Sequence, residues 1–157
     1  MKIREATRDD EAAIGTLAKE FADYLRSLGD TAGFGFNAST YLRDGFGDNP
    51  AFQGLVAEID NEVVGYLLYN PRYDTDLAMR TLYIIDLYVH PTNRLQGVGK
   101  ALMKRAGDIC TAAGGKGLLW SVYSPNRPAL DFYEHLGARY VKDVAYMYLP
   151  LEGESSQ

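Results

Sequence analysis

The stretch from Val89 to Met103 constrains the fold most, because it joins an apolar strand to an amphipathic helix through a turn that contains glycines. The turn has the pattern Arg-x-x-Gly-x-Gly, with Arg94, Gly97 and Gly99 at its fixed positions. Glycines let the backbone approach an anion, and the first N–H groups of a helix have no intrahelical acceptor. The turn therefore predicts a phosphate-binding site, where Lys100 adds positive charge next to the helix dipole.

The spacing excludes two common nucleotide-binding loops. A P-loop has a glycine where this chain has Arg94, and Ser or Thr where it has Ala101. A dinucleotide-binding loop has a third glycine where this chain has Leu102. The segment alone leaves one alternative open, which is a tight strand-to-helix connection without a ligand.

A second motif lies at residues 126–138. Asn126 and Pro128 are typical of a helix N-terminus and Gly137 of a helix end, so the motif predicts a short helix. The motif also matches the segment Asn-x-x-Ala-x-x-Phe-Tyr-x-x-x-Gly of the GCN5-related N-acetyltransferases, whose glycine turn binds the pyrophosphate of acetyl-coenzyme A. With both motifs in this order, the chain resembles that family, which implies acetyl transfer from acetyl-coenzyme A to an amine.

Residues 44–50, 55–58 and 86–89 are similar to the diamine (polyamine) and thialysine acetyltransferases of this family. The resemblance implies three groups of residues that bind the cofactor. They are Leu87, Tyr88 and Val89; Arg94, Leu95, Gln96, Gly97, Val98, Gly99 and Lys100; and Asn126, Arg127, Pro128 and Ala129.

Two positions depart from the polyamine branch. That branch has a glutamate immediately before the aspartate that matches Asp86, whereas this chain has Ile85. On the first helix Tyr24 matches the tyrosine of the branch, but Leu25 replaces the acidic residue that follows it. Tyr24 and Ile85 are therefore expected at the substrate site, while the carboxylates that would hold and deprotonate a polyamine are missing.

The reaction needs a neutral amine and a proton donor for the departing thiolate. An alkylamine with a pKa of about 10.4 is almost wholly protonated at neutral pH, so a base must assist. By its match to the family tyrosine, Tyr133 is the predicted acid, with a packed core tyrosine as the alternative. Asp86 is either the base or a structural hydrogen-bonding residue, and strand alternation predicts that it and Ile85 lie on opposite faces.

Hydrophobic periodicity predicts a mixed α/β fold with the element order β-α-α-β-β-β-α-β-α-β. The predicted strands are residues 3–6, 52–59, 63–69, 80–89, 117–123 and 140–149. By resemblance the sheet is mostly antiparallel and GNAT-type, with helices on both faces. Residues 1–150 are expected to form a single N-acetyltransferase domain, followed by a polar tail at residues 151–157.

Composition and charge narrow the expected partners. A formal net charge of -5 argues against nucleic acid, and no apolar run approaches the ~20 residues that span a bilayer. The chain has two histidines and one cysteine, Cys110, which is expected to be buried. These residues do not make a plausible set of metal ligands, so we expect no metal site. We expect a cytoplasmic protein that binds neither membrane nor nucleic acid, and the resemblance implies a homodimer.

The expected substrate is a small-molecule primary amine, such as a diamine, a polyamine or a lysine-like amino acid. Two alternatives remain open from the sequence. One is acetylation of a peptide or protein amine, and the other is a non-catalytic acyl-CoA-binding module that lost its base when Ile85 took the glutamate position.

Overall fold

A five-stranded sheet organises the residues that the computed structural model describes, which are residues 1–151 and Gly153. The first three strand pairs are antiparallel and the last pair is parallel, which confirms the predicted mixed, mostly antiparallel sheet. In spatial order the strands are β1 (Lys2–Glu5), β2 (Gln53–Ile59), β3 (Glu62–Asp74), β4 (Met79–Val89) and β5 (Gly115–Leu119). The helices are α1 (Glu11–Ser27), α2 (Ala38–Gly45), α3 (Val98–Ala112) and α4 (Arg127–His135).

Helices cover both faces of the sheet, as predicted. Ile14 and Leu17 of α1 and Tyr41 of α2 pack with strand residues on one face. Leu102 and Ala106 of α3 pack with strand residues on the other. Each helix buries one apolar stripe, and full burial of a large apolar side chain contributes about 1.5 to 3 kcal/mol. The two helical layers therefore hold the sheet between them.

The hairpin between β2 and β3 has a tight turn. Asp60 and Asn61 both have positive φ, at 51° and 65°, as a type I′ turn requires. Asn and Asp tolerate this left-handed backbone better than other non-glycine residues. The turn fixes the register of β2 against β3.

A β-bulge interrupts β4 at Ile85. Leu68 of β3 lies opposite Asp86, but its neighbour Tyr69 lies opposite Ile84, so Ile85 is the extra residue. Ile84 and Leu87 consequently both reach the core cluster beside α3, with two residues between them instead of one. The prediction that regular alternation sends Ile85 and Asp86 to opposite faces is therefore wrong, because the bulge breaks the alternation at this point.

The predicted last strand, residues 140–149, is not formed. The last element among the described residues is α4, and the side chains that follow it are exposed, including Tyr146 at 72% and Leu149 at 81%. The alternating apolar pattern indicated a half-buried strand, but a strand also needs a neighbour to pair with. Within the described part of the chain β5 pairs only with β4.

The chain passes from α3 to β5 within residues 113–115. Ala113 lies just beyond α3 and is exposed. Gly115 begins β5, where a Cβ would lie 2.5 Å from Cys110 Sγ and 2.9 Å from the Arg80 carbonyl. Cys110 is buried, as expected. The predicted polar tail, apart from Leu151 and Gly153, lies outside the described residues.

None of the helices in the described ranges combines the length and the apolar character needed to cross a membrane.

Candidate active site

A gap opens between β4 and β5 beyond Tyr83. The two strands pair only from Arg80 to Tyr83 on β4, although β4 continues to Val89. Beyond the paired stretch, the edge of β4 that faces away from β3 has no neighbouring strand among the described residues. An extended ligand can pair with such an edge through its own amide groups. The expected cofactor contacts Leu87, Tyr88 and Val89 all lie on this edge.

The glycine turn presents a run of unpaired donors. The N–H groups of residues 95–100 donate to no acceptor within the described part of the chain, and the first backbone hydrogen bond of α3 is from Ala101 to Gly97. Leu95 and Gly97 have positive φ, at 62° and 82°, which bends the chain sharply before α3. Consecutive free N–H groups at a helix N-terminus attract anions, so the turn can hold a phosphate group.

The two glycines of the turn meet different surroundings. A Cβ on Gly97 would meet nothing within 4 Å, whereas a Cβ on Gly99 would lie 3.1 Å from Cζ of Phe132. Gly97 thus serves the left-handed backbone of the turn. Gly99 serves the close approach of α3 to α4, a reason that the sequence motif did not reveal.

Arg94 is anchored to the end of β4. Its Nε donates a 2.9 Å hydrogen bond to the carbonyl of Val89. Its guanidinium carbon lies 5.1 Å from the ring centre of Tyr24 and 5.3 Å from that of Tyr88, distances typical of cation–π contacts. Arg94 therefore joins the glycine turn to α1 and β4. Lys100 is exposed at the start of α3.

Tyr24 connects α1 to the N-terminus of α4. Its hydroxyl donates a 2.9 Å hydrogen bond to Oδ1 of Asn126, which also accepts the N–H of Ala129 at 3.3 Å. Asn126 is buried and caps α4, as predicted. Pro128 lies in the first turn of the helix, and Arg127 pairs with Asp131 at 3.0 Å on its surface. Tyr24 thus has a positioning contact besides its expected place at the substrate site.

The pKa values of Asp86 and Tyr133 are both raised at the gap. Burial raises the pKa of the Asp86 carboxyl to about 7, and this carboxyl forms no hydrogen bond or ion pair with the described residues. Burial, with a further contribution from the Asp86 charge, raises the pKa of the Tyr133 phenol to about 12. The Tyr133 ring packs on Trp120 and Phe132 with centroid distances of 4.8 and 5.1 Å. At neutral pH the pair holds one group that can accept a proton and one that can donate it.

Tyr66 is a site residue that the sequence analysis missed. Its side chain is fully buried, its hydroxyl has no hydrogen-bond partner among the described residues, and its pKa is raised by burial and then by the Asp86 charge. Alternation on β3 places Tyr66 and Leu68 on one face. Only the register, which sets Tyr66 opposite Tyr88, brings it close to Asp86.

The remaining predicted site residues lie around the same gap. Ile85 is 37% exposed in the bulge, next to Asp86. Leu95 and Gln96 are exposed in the turn, and Val98 is buried under the first turn of α3. No group of three or more potential metal-ligating side chains comes together within residues 1–151.

Comparisons with known proteins concern the sequence and the fold of the chain. The sequence profile of the acetyltransferase (GNAT) family matches residues 16–138. The chain is 37% identical over 146 residues to the thialysine N-epsilon-acetyltransferase of Sus scrofa, covering 87% of this chain and 83% of the relative. It is 31% identical to the Mus musculus protein of the same name, covering 98% and 94%. An integron cassette protein from the mobile metagenome of V. cholerae shares the fold with a TM-score of 0.77 and 22% identity, over 97% of this chain and 93% of that one.

Proposed function

Since this chain belongs to the acetyltransferase (GNAT) family, in its polyamine and thialysine branch, we propose that it transfers an acetyl group from acetyl-coenzyme A to a primary amine of a small molecule. The family makes it an acyltransferase of the N-acetyltransferase type. One observation supports the proposed reaction above the others: a carboxyl group with a pKa of about 7 and a phenol with a pKa of about 12 lie together at the gap between β4 and β5.

The residues around the gap fit the donor. The free N–H groups of residues 95–100 suit a pyrophosphate, and the open edge of β4 from Leu87 to Val89 suits the amide groups of a pantetheine arm. Residues 126–129, fixed by the Asn126 cap, would complete the site. Bound acetyl-coenzyme A would supply the reactive thioester, and this chain supplies the groups that orient it and move protons.

Asp86 is the proposed base. At pH 7 an amine with a pKa of about 10.4 costs about 4 to 5 kcal/mol to deprotonate. A general base works best when its pKa lies near the working pH, and the pKa of Asp86 is about 7. Because its carboxylate makes no hydrogen bond or ion pair with the described residues, its oxygens are available to the ammonium group of an acceptor.

Tyr133 is the proposed acid. Its raised pKa keeps the phenolic proton in place throughout the physiological range. The hydroxyl can then give this proton to the departing sulfur as the amine attacks the thioester directly. Packing against Trp120 and Phe132 holds the ring in a fixed position, which favours a single proton-transfer geometry.

We also propose that residues 1–150 form one domain that works as a homodimer in the cytoplasm. Exposed large apolar side chains after α4 support the dimer, because exposed apolar surface often marks an interaction site. They are Tyr140, Val141, Val144, Met147, Tyr148, Leu149 and Leu151. Light scattering of the eluted protein should give twice the monomer mass, and a truncation after Ala138 should give the monomer mass.

The proposed reaction is tested with purified protein, acetyl-coenzyme A and a panel of amines. The panel holds diamines, polyamines, lysine-like amino acids and lysine-containing peptides, with free thiol measured by absorbance and the acetylated product identified by mass spectrometry. We expect amine-dependent thiol release with at least one small amine. Release with peptides alone would indicate a peptide acetyltransferase, and binding of coenzyme A without any release would indicate a non-catalytic module.

A further inference from the structure

Four polar side chains form a cluster beside the gap, here named the Arg72 cluster: Arg72, Tyr83, Ser121 and Tyr146. The hydroxyl of Tyr83 lies 2.8 Å from that of Tyr146 and 3.1 Å from Oγ of Ser121. The guanidinium carbon of Arg72 lies 5.3 Å from the centre of the Tyr83 ring. One cation and three hydroxyls are thus gathered around a single ring.

The cluster borders the site where the proposed chemistry takes place. Tyr83 is the last residue of β4 that pairs with β5, and the bulged Ile85 and then Asp86 follow it on the same strand. At about 3.3 Å per residue, the Cα atoms of Tyr83 and Asp86 are no more than ~10 Å apart. A small molecule whose amine reaches Asp86 can therefore place its other end at the cluster.

The charge of the cluster is not neutralised by the protein. Arg72 forms no ion pair among residues 1–151, and its guanidinium is exposed. The cluster therefore presents an uncompensated positive charge beside three hydroxyl groups.

We infer that Arg72 is a specificity-determining residue that binds a carboxylate of the acceptor, with the hydroxyls of Tyr83, Ser121 and Tyr146 as neighbouring donors. Arginine donates to a carboxylate through two parallel hydrogen bonds, which are stronger than neutral ones. A second ammonium group would instead meet the Arg72 cation and the apolar Ile85 side chain. Among the proposed small amines, Arg72 thus selects an acceptor that carries a carboxylate at the end remote from the reacting amine. This inference rests on the proposed N-acetyltransferase function.

Lysine and 1,5-diaminopentane provide the test, because they differ only by the carboxylate. We expect wild-type kcat/KM for lysine to exceed that for 1,5-diaminopentane by tenfold or more. Arg72→Met should lower kcat/KM for lysine at least tenfold, mainly through KM, and should raise the value for 1,5-diaminopentane because a repelling charge is gone. Arg72→Lys should recover part of the loss, since it keeps the charge without the bidentate geometry.

Arg80→Met is the matched control. Arg80 is an exposed arginine on the same hairpin. Its neighbour Thr81 lies opposite Arg72 in the register. Because side chains alternate along a strand, Arg80 lies on the other face of the sheet from Arg72. Arg80→Met should leave the ratio of kcat/KM for lysine to kcat/KM for 1,5-diaminopentane within twofold of the wild-type ratio. Lysinamide, which lacks the carboxylate charge, should behave like 1,5-diaminopentane in every variant.

Equal kcat/KM for lysine and 1,5-diaminopentane in the wild type, or parallel losses for both in Arg72→Met, would overturn the inference. If the wild type releases no thiol with any amine of the panel, the proposed function is instead contradicted. In that case calorimetric binding of lysine to the complex with coenzyme A still decides the inference. Tighter binding of lysine than of 1,5-diaminopentane, lost in Arg72→Met, supports it, and its absence refutes it.

Discussion

Tyr133 lies close enough to Asp86 that its pKa, raised mainly by burial, is raised further by the aspartate charge, to about 12. Asp86 itself has a pKa of about 7 because of burial. Burial thus raises both pKa values, so that near pH 7 the carboxyl exchanges its proton while the phenol keeps its own. Perturbed pKa values of neighbouring groups in one pocket are typical of functional sites.

The first prediction concerns the pH dependence of the reaction. If Asp86 is the base, kcat/KM should rise with pH through about 7 as its carboxyl loses a proton. The Tyr133 phenol should cause no loss of activity up to about pH 10, because its pKa is about 12. Steady-state rates from pH 5 to 9 measure this ascending limb of the pH profile of kcat/KM. Asp86→Asn should lose at least 10²-fold in kcat and lack the limb near pH 7; a variant that keeps the limb would show that another group titrates there.

The second prediction concerns stability. The pKa of the Asp86 carboxyl is about 7 in the folded protein and 3.8 when unperturbed, so between these values the folded state binds more protons than the unfolded state. The contribution of Asp86 to stability is therefore fully present below about pH 4 and is lost as the pH rises to about 7. Asparagine stays neutral, so Asp86→Asn should be more stable than the wild type by a few kcal/mol at pH 8, at about 1.36 kcal/mol per pKa unit, and about equal at pH 4.

Urea unfolding at the two pH values measures this difference. Asp76→Asn is the control, because Asp76 is an exposed carboxylate near the β3–β4 turn. Its effect on the free energy of unfolding should be within about 0.5 kcal/mol at either pH. A stability gain in Asp86→Asn that is equal at pH 4 and pH 8 would contradict the buried, ionising carboxylate.

The third prediction separates acid catalysis from packing at Tyr133. Tyr133→Phe removes one hydroxyl and keeps the ring contacts with Trp120 and Phe132. As the acid, Tyr133 should be needed for turnover, so kcat should fall roughly 10²-fold or more while the affinity for coenzyme A is nearly retained. Single-turnover rates and calorimetry measure the two effects. Wild-type turnover in the variant, with chemistry rate-limiting, would leave Tyr133 a packing residue.

Local signals predicted the helix ends, whereas non-local pairing decided what the sequence analysis got wrong. Gly137 follows α4 with a φ of 90°, and a glycine favours this left-handed backbone by itself. The strand predicted at residues 140–149 needed a neighbour, and periodicity contains no information about which segment supplies one.

The same limit applies to the candidate site. The glycine turn and the Asn126 cap were predictable because each depends on a few adjacent residues. The bulge at Ile85 depends on the register of β3 against β4, and the raised pKa of Asp86 depends on burial from several elements. Neither the bulge nor the raised pKa is indicated by a periodic pattern or a motif in the sequence. The close approach of Gly99 to Phe132 also depends on how two helices pack, so the sequence did not predict it.

The fourth prediction distinguishes the two glycines of the turn. Gly97→Ala places a Cβ on a left-handed backbone, at a cost of about 1 to 2 kcal/mol, and should weaken coenzyme A binding tenfold or more by shifting the free N–H groups. Gly99→Ala should mainly lower the melting temperature, because its Cβ would crowd the Phe132 ring at 3.1 Å. Calorimetry with coenzyme A and thermal unfolding measure both effects.

Gly107 offers a control within the same helix. A Cβ at Gly107 would meet nothing within 4 Å, and α3 is helical there. Gly107→Ala should therefore stabilise the protein by roughly 0.5 to 1 kcal/mol and leave coenzyme A affinity unchanged. Unchanged affinity in a folded Gly97→Ala variant would show that the turn does not bind the pyrophosphate.

The fifth prediction concerns Ile85, the residue that takes the place of the glutamate of the polyamine branch. Ile85 is 37% exposed in the bulge beside Asp86, so its apolar side chain borders the proposed amine site. Ile85→Glu adds a carboxylate there, which should attract a second ammonium group and raise kcat/KM for spermidine relative to lysine by about tenfold. Ile85→Gln, similar in size but uncharged, is the matched control and should change the ratio by less than threefold. A wild type that already prefers spermidine, with no further change in Ile85→Glu, would show that selectivity arises elsewhere in the pocket.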